Sequence, residues 1–178
     1  MFNEVTTFLH EFGHALHGMF SKCTYGSTSM DGVSRDFVEL PSQFMENYAL
    51  EKEWLDTWAV HYQTGEKIPQ EYIDKIKKSS NFQAGYASDR QLSFGMVDMA
   101  WHTITEPVTE PLADFEQRAM GKTEIMPLVK GSAFSPAFRH IFAGGYAAGY
   151  YGYKWAEVLD ADAFSLFKQN GIFDKATA

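Results

Sequence analysis

His10 and His14 stand four residues apart in FLHEFGHALHGMF, residues 8–20, where Phe8, Leu9, Phe12, Leu16 and Phe20 also recur at helical spacing. The spacing predicts a helix over residues 3–21, ended by Gly18 and the loop-forming stretch 21–31, which is rich in Ser, Thr and Gly. Helical patterning continues along the chain. A second helix is expected from Asp36 or Pro41 through FMENYALEKEW, and a third over 54–63, stopped by Thr64-Gly65. Pro69 opens a fourth at a position that suits its fixed φ. A long helix over 82–104 and another over 109–120, closed by Gly121, come next. Residues 122–145, with Pro127, Gly131, Pro136 and the Gly144-Gly145 pair, predict loop. A last helix is expected over 146–168, ended by Asn170-Gly171. No alternating pattern exceeds a few residues, and no repeat recurs at a fixed period. The expected fold class is all-α, a multi-helix core with at most a short β-hairpin in residues 22–35.

Size and charge narrow the function classes. A chain of 178 residues fits one domain and can bury a real core. Its net charge of -8 argues against a nucleic-acid surface, which needs a basic stripe. No apolar run is long enough to span a bilayer, so no membrane partner is expected. The start, MFNEVTTF, lacks the basic and apolar regions of a signal peptide. Cys23, the single cysteine, has no partner for an internal disulfide, which fits a reducing, cytoplasmic setting. Periodicity that begins almost at Met1, and a final IFDKATA that reads as an unfinished helix, lead to the expectation of a fragment of a longer protein.

The histidines carry the chemistry. On a helix, residues four apart share a face about one turn apart, so the imidazoles of His10 and His14 can converge on one ion. Glu11 points beside them, where its carboxylate can reach a water on that ion but not readily the ion itself. HExxH is a zinc-peptidase pattern for this geometric reason. His17 shares the face but lies about 10 Å along the axis from His10, too far for both to bind one ion at about 2 Å. It is read as a partly buried polar residue or a donor to a ligand. The longer pattern HExxHxxGxxH would need Gly at 17 and His at 20, and the chain has His17 and Phe20. A catalytic zinc needs a further protein ligand. Asp36, Glu39 and Glu46 in DFVELPSQFMEN, residues 36–47, all offer a carboxylate. Gly13 is a costly helix residue, by about 1 kcal/mol against Ala, and implies close approach of another backbone or a plain packing need.

HEFGHALH followed by RDFVELPSQFMENY resembles the thimet oligopeptidase, oligopeptidase A and peptidyl-dipeptidase family of zinc peptidases. The resemblance implies that the Glu of the FVE-PSQ motif, here Glu39, is the third ligand beside His10 and His14, with one Zn²⁺ per chain. Glu46, two turns on, is then placed to accept a hydrogen bond from a ligand histidine. The resemblance makes the chain a zincin-type catalytic core, residues 1–178 forming one domain of a longer two-lobed peptidase whose N-terminal lobe is missing.

A second dense stretch is FRHIFAGGYAAGYYGYKWAEV, residues 138–158. Tyr146, Tyr150 and Tyr153, spaced by four and three, would line one helical face. Four glycines make the segment a poor helix by propensity. Read alone, it is an aromatic core stripe. HIFAGGYAAGYYGY also resembles the same family's substrate-binding loop and helix, in the oligopeptidase A pattern. That resemblance implies substrate or transition-state contacts for His140, Tyr146, Tyr150 and Tyr153, with Gly144 and Gly145 as a flexible loop. Residues 81–102 resemble the family more weakly; Arg90 and Asp98 there are read as structural partners.

Together these give a metallopeptidase that hydrolyses short oligopeptides, with Glu11 as general base and Tyr153 or Tyr146, with His140, at the oxyanion. The competing expectation is a non-catalytic or inactive truncated helical domain with a zinc site.

Overall fold

The computed structural model describes residues 2–126 and 129–178; Pro127 lies outside them. Eight α-helices are present among the described residues: α1 (Phe2–Met19), α2 (Leu40–Glu46), α3 (Lys52–Leu55), α4 (Gln70–Ser80), α5 (Ala84–His102), α6 (Leu112–Met120), α7 (Arg139–Phe142) and α8 (Gly152–Asn170). Short 3-10 turns fall at Gly26–Thr28, Met30–Gly32, Asn47–Leu50 and Ser135–Ala137. The fold is all-α. Residues 22–35 form two of these turns and no strand, and one isolated antiparallel bridge joins Val60 to Lys67.

Two compact units share the chain: residues up to Phe82 together with Trp155–Ala178, and Gln83–Lys154. In the first unit α1 lies against α2. The helix expected over 3–21 is present, but its buried face is not the phenylalanine stripe. Phe8, Phe12 and Phe20 are 66%, 40% and 72% exposed, while Leu9 and Gly13 are buried. The histidines therefore lie on the inward side. Behind α2, Phe44 meets the rings of Tyr48, Phe164 and Phe167 at 6.0, 5.6 and 5.2 Å. The Tyr48 hydroxyl donates to the carbonyl of Ile172 at 3.2 Å, tying the end of the chain to this cluster.

The helix expected over 54–63 does not form. After α3 the chain turns back on itself: the His61 amide donates to the carbonyl of Glu66 at 2.7 Å and the Ile68 amide to that of Ala59 at 3.1 Å. The Thr64 amide donates to Nδ1 of His61 at 3.2 Å. Thr64-Gly65 is thus the tip of a tight turn rather than the end of a helix.

The second unit is built on α5 and α6 around Phe94, Val97, Phe115, Met120, Phe138 and Ile141. Glu116 is fully buried and accepts the amides of Phe134 and Ser135 at 2.9 and 2.6 Å. Trp101 donates its indole N–H to the hydroxyl of Ser135 at 2.8 Å. These bonds fasten the connecting loop onto the two helices, because a buried carboxylate must find donors. The last helix also departs from expectation. Residues 146–151 are turns, and α8 starts only at Gly152. Gly145 and Ala148 take positive φ values of 83° and 52°, which no helix accommodates.

Candidate metal centre

His10 and His14 project from consecutive turns of α1, their rings edge-on at 5.0 Å and 86°. Glu39 arrives from the residue just before α2. Its Oε2 lies 3.2 Å from Nε2 of His10 and 3.3 Å from Nε2 of His14. One ligand atom from each of the three residues falls within 4.8 Å of the others. No fourth His, Cys, Asp or Glu joins them among the described residues. Asp36 is not in the group, although the residue pattern alone left it equal to Glu39.

The α1–α2 approach makes this meeting possible. A Cβ on Gly13 would stand 2.4 Å from the carbonyl oxygen of Pro41 and 2.6 Å from Cα of Ser42. Gly13 therefore serves the close approach of the second acid-bearing segment. Sequence reasoning passed over Ser42. Buried in the first turns of α2, its hydroxyl reaches both the Oε2 and the carbonyl oxygen of Glu39 at 2.9 Å. Its i, i+3 relation to Glu39 was the available signal.

Glu46 completes the electrostatics. Its Oε1 is 2.6 Å from Nδ1 of His10, so His10 is held between two carboxylates. Hydrogen bonding to Glu39 foremost, then to Glu46, raises the His10 pKa from its ordinary 6.5 to about 10, against the opposing effect of burial. Glu39 is only 1% exposed, and a buried carboxylate needs positive charge beside it. The donor set is two imidazole nitrogens and one carboxylate oxygen, with a second carboxylate orienting one ring. These residues fit a divalent cation of the kind that takes nitrogen and oxygen ligands.

Other sequence-selected groups lie elsewhere. Glu11 is exposed on α1 next to the two histidines. His17 packs edge-on against Phe37 at 6.3 Å, with its Nδ1 buried. Cys23 is exposed and donates to the carbonyl of Thr28 at 3.0 Å. Within the second unit, His140, Tyr146, Tyr150 and Tyr153 form one aromatic cluster. His140 lies 6.1 Å from Tyr146 and 5.9 Å from Tyr150. Tyr146 stacks on Tyr153 at 5.1 Å and 22°. Tyr150 is buried against Phe94 and Phe138, and burial pushes its phenol pKa up, so its O–H stays intact. The three tyrosines meet without sharing a helix, since only Tyr153 belongs to α8. Gly144 packs on the backbone of His140, where an added Cβ would lie at 2.8 Å. Arg90 is exposed over the ring of Phe94 at 4.4 Å rather than paired with Asp98.

The family model of Peptidase family M3 matches residues 1–178. The chain belongs to Peptidase family M3. This M3 chain is 48% identical over 175 residues to the organellar oligopeptidase A, chloroplastic/mitochondrial, of Arabidopsis thaliana, covering 97% of the chain and 22% of that protein. It is 46% identical over 181 residues to oligopeptidase A of Escherichia coli (strain K12), covering 98% and 26%. It is 39% identical over 173 residues to dipeptidyl carboxypeptidase of Salmonella typhimurium, covering 96% and 25%. The chain spans about a quarter of the length of these relatives. No helix among the described residues is long and apolar enough to cross a membrane.

Proposed function

We propose that this M3 chain is the catalytic core of a zinc peptidase that hydrolyses peptide bonds in short, unstructured peptides. The convergence of His10, His14 and Glu39 within 4.8 Å carries the reading. The three would hold one Zn²⁺. When bound, zinc supplies Lewis acidity, polarising the peptide carbonyl and lowering the pKa of water toward ~7. Glu39 contributes its charge from a dry position, and Ser42 fixes its carboxylate. Glu46 orients the His10 ring through Nδ1, leaving Nε2 for the metal side. Glu11 takes a proton from the attacking water and delivers it to the leaving amine nitrogen. By family resemblance, Tyr153 or Tyr146 donates its phenol O–H to the developing oxyanion, and His140 orients substrate. Tyr150, Gly144 and Gly145 shape that binding segment. The remaining length of the relatives supports placing these residues within a longer protein, two-lobed by the family resemblance. The name of one relative, "Probable cytosolic oligopeptidase A", agrees with a cytoplasmic setting, whereas another is named as chloroplastic/mitochondrial.

The higher identity to proteins named oligopeptidase A favours action on oligopeptides. Removal of C-terminal dipeptides is the second reading, favoured by the dipeptidyl carboxypeptidase relatives. The test is cleavage of a quenched short peptide with zinc supplied, comparing the native sequence with Glu11→Gln and identifying products by mass. Glu11→Gln should retain zinc and lose turnover by roughly 10²–10⁴-fold. Near-normal turnover in that variant overturns the reading.

A further inference from the structure

We propose that Asp98 is the positioning residue of the tyrosine segment, its buried carboxylate clamping the turn 146–151 so that Tyr146 stacks on Tyr153. Asp98 sits in the body of α5 and is fully buried. Two main-chain donors meet its two oxygens. The amide of Ala148 donates to Oδ1 and the amide of Tyr150 to Oδ2, each at 2.9 Å, while Nδ1 of His102 stands 2.8 Å from both Oδ1 and the Asp98 carbonyl oxygen. The two amides belong to one short segment, on either side of Gly149.

That segment would not hold this shape by itself. Ala148 has φ of 52°, a left-handed conformation that its Cβ disfavours. The sequence spacing of the tyrosines reads as helix, yet the Ala148 and Tyr150 amides face Asp98. Neighbouring bonds are tight turns instead, from the Gly149 amide to the Tyr146 carbonyl at 2.9 Å and from the Gly152 amide to the Gly149 carbonyl at 3.0 Å. Charge-assisted bonds to a desolvated carboxylate are the strong interactions available to hold the strained turn. One helical turn earlier on α5, Phe94 packs edge-on against the Tyr150 ring at 5.7 Å. The same helix thus grips Tyr150 by its ring and by its amide. With Tyr150 drawn into the core, Tyr146 is left to stack on Tyr153, next to His140. Asp98 acts on this segment through its backbone, by accepting the amides of Ala148 and Tyr150.

The proposal rests on the peptidase reading for its kinetic consequence alone; its structural consequence stands apart. The experiment is amide hydrogen exchange on the whole chain for native, Asp98→Asn, Ala148→Val and Asp98→Asn/Ala148→Gly proteins, with kcat and KM from the zinc-supplied peptide assay. Asp98→Asn replaces one acceptor by a donor facing an N–H. Exchange at Ala148 and Tyr150 should accelerate about tenfold or more, as loss of one charge-assisted bond requires, while core amides of α6 keep their protection. Ala148→Val leaves the carboxylate in place but makes the left-handed turn harder to hold, and should loosen the same amides. Glycine at 148 accepts positive φ freely and should restore much of the protection lost in Asp98→Asn. The drop in kcat should exceed the rise in KM and be partly rescued by the same glycine. Unchanged exchange over 146–151 in Asp98→Asn and Ala148→Val, or uniform loss of protection without rescue by glycine, overturns the proposal. The expected exchange changes in the variants, together with a native protein that cleaves no peptide, overturn the peptidase reading and leave the clamp standing.

Discussion

Nδ1 of His10 lies 2.6 Å from Oε1 of Glu46, on the side of the ring opposite Glu39. The two residues are thirty-six positions apart and meet because α1 and α2 cross where Gly13 allows it. Such a carboxylate fixes the tautomer of the ring and raises its basicity as a ligand. Glu46→Gln should weaken zinc affinity by roughly 10–100-fold with little change in fold. Competition against a chelator of known affinity reads this, with circular dichroism as the control on folding.

Glu39 and Asp36 separate in the structure where the residue pattern left them level. Glu39→Ala should strip zinc from the protein after dialysis, since it removes a buried carboxylate oxygen that faces both histidines. Asp36→Ala should keep metal at close to one equivalent. Metal content by elemental analysis decides it, and equal losses in the two variants would refute the ligand assignment.

Gly13→Ala sets two effects against each other. Helix propensity favours Ala by about 1 kcal/mol. The added Cβ, however, would sit 2.4 Å from the Pro41 carbonyl oxygen, main chain that cannot rotate away. Overpacking of this kind costs about 1–3 kcal/mol, so thermal stability should fall despite the better helix former. Zinc affinity should fall with it, because α1 and α2 must part. A raised Tm would contradict the close-packed crossing.

Asp160 on α8 gives a pH dependence. Burial raises its carboxyl from an ordinary 3.8 to about 6, helped by the charges of Glu157 and Glu46 and opposed by the hydrogen bond from Asn47. The folded chain therefore holds a proton between about pH 4 and 6 that the unfolded chain has released. This contribution to stability is complete below about pH 4 and is lost as pH rises through 6. Asp160→Asn removes the ionisation. It should raise stability at pH 7.5 by about 1–2 kcal/mol, leave it nearly unchanged at pH 4, and flatten the pH profile between. Urea unfolding at the two pH values measures the difference.

Much of this site was legible because it is local. His10 and His14 are one turn apart on a helix that any reading of residues 8–20 produces, and the all-α class needed only the lack of strand alternation. What escaped was tertiary. The apolar recurrence of Phe8, Leu9, Phe12, Leu16 and Phe20 located the helix but did not say which face packs: Leu9 is buried while Phe8, Phe12 and Phe20 are exposed. Asp36 and Glu39 share one short segment, and only the crossing of two helices selects between them. Tyr146, Tyr150 and Tyr153 have perfect helical spacing, yet Asp98, fifty residues from Ala148, redirects their backbone into a turn. Val60 and Lys67 pair through a turn whose signal, Thr64-Gly65, reads equally as a helix stop.

At Gly13 the spacing between the two ligand-bearing elements is dictated by peptide groups resting on one another. Side chains can drift throughout the surrounding core without widening or narrowing that gap. The approach of the imidazole-bearing helix to the acid-bearing segment is therefore set by main chain meeting main chain, and a side chain added at this glycine would push the two apart.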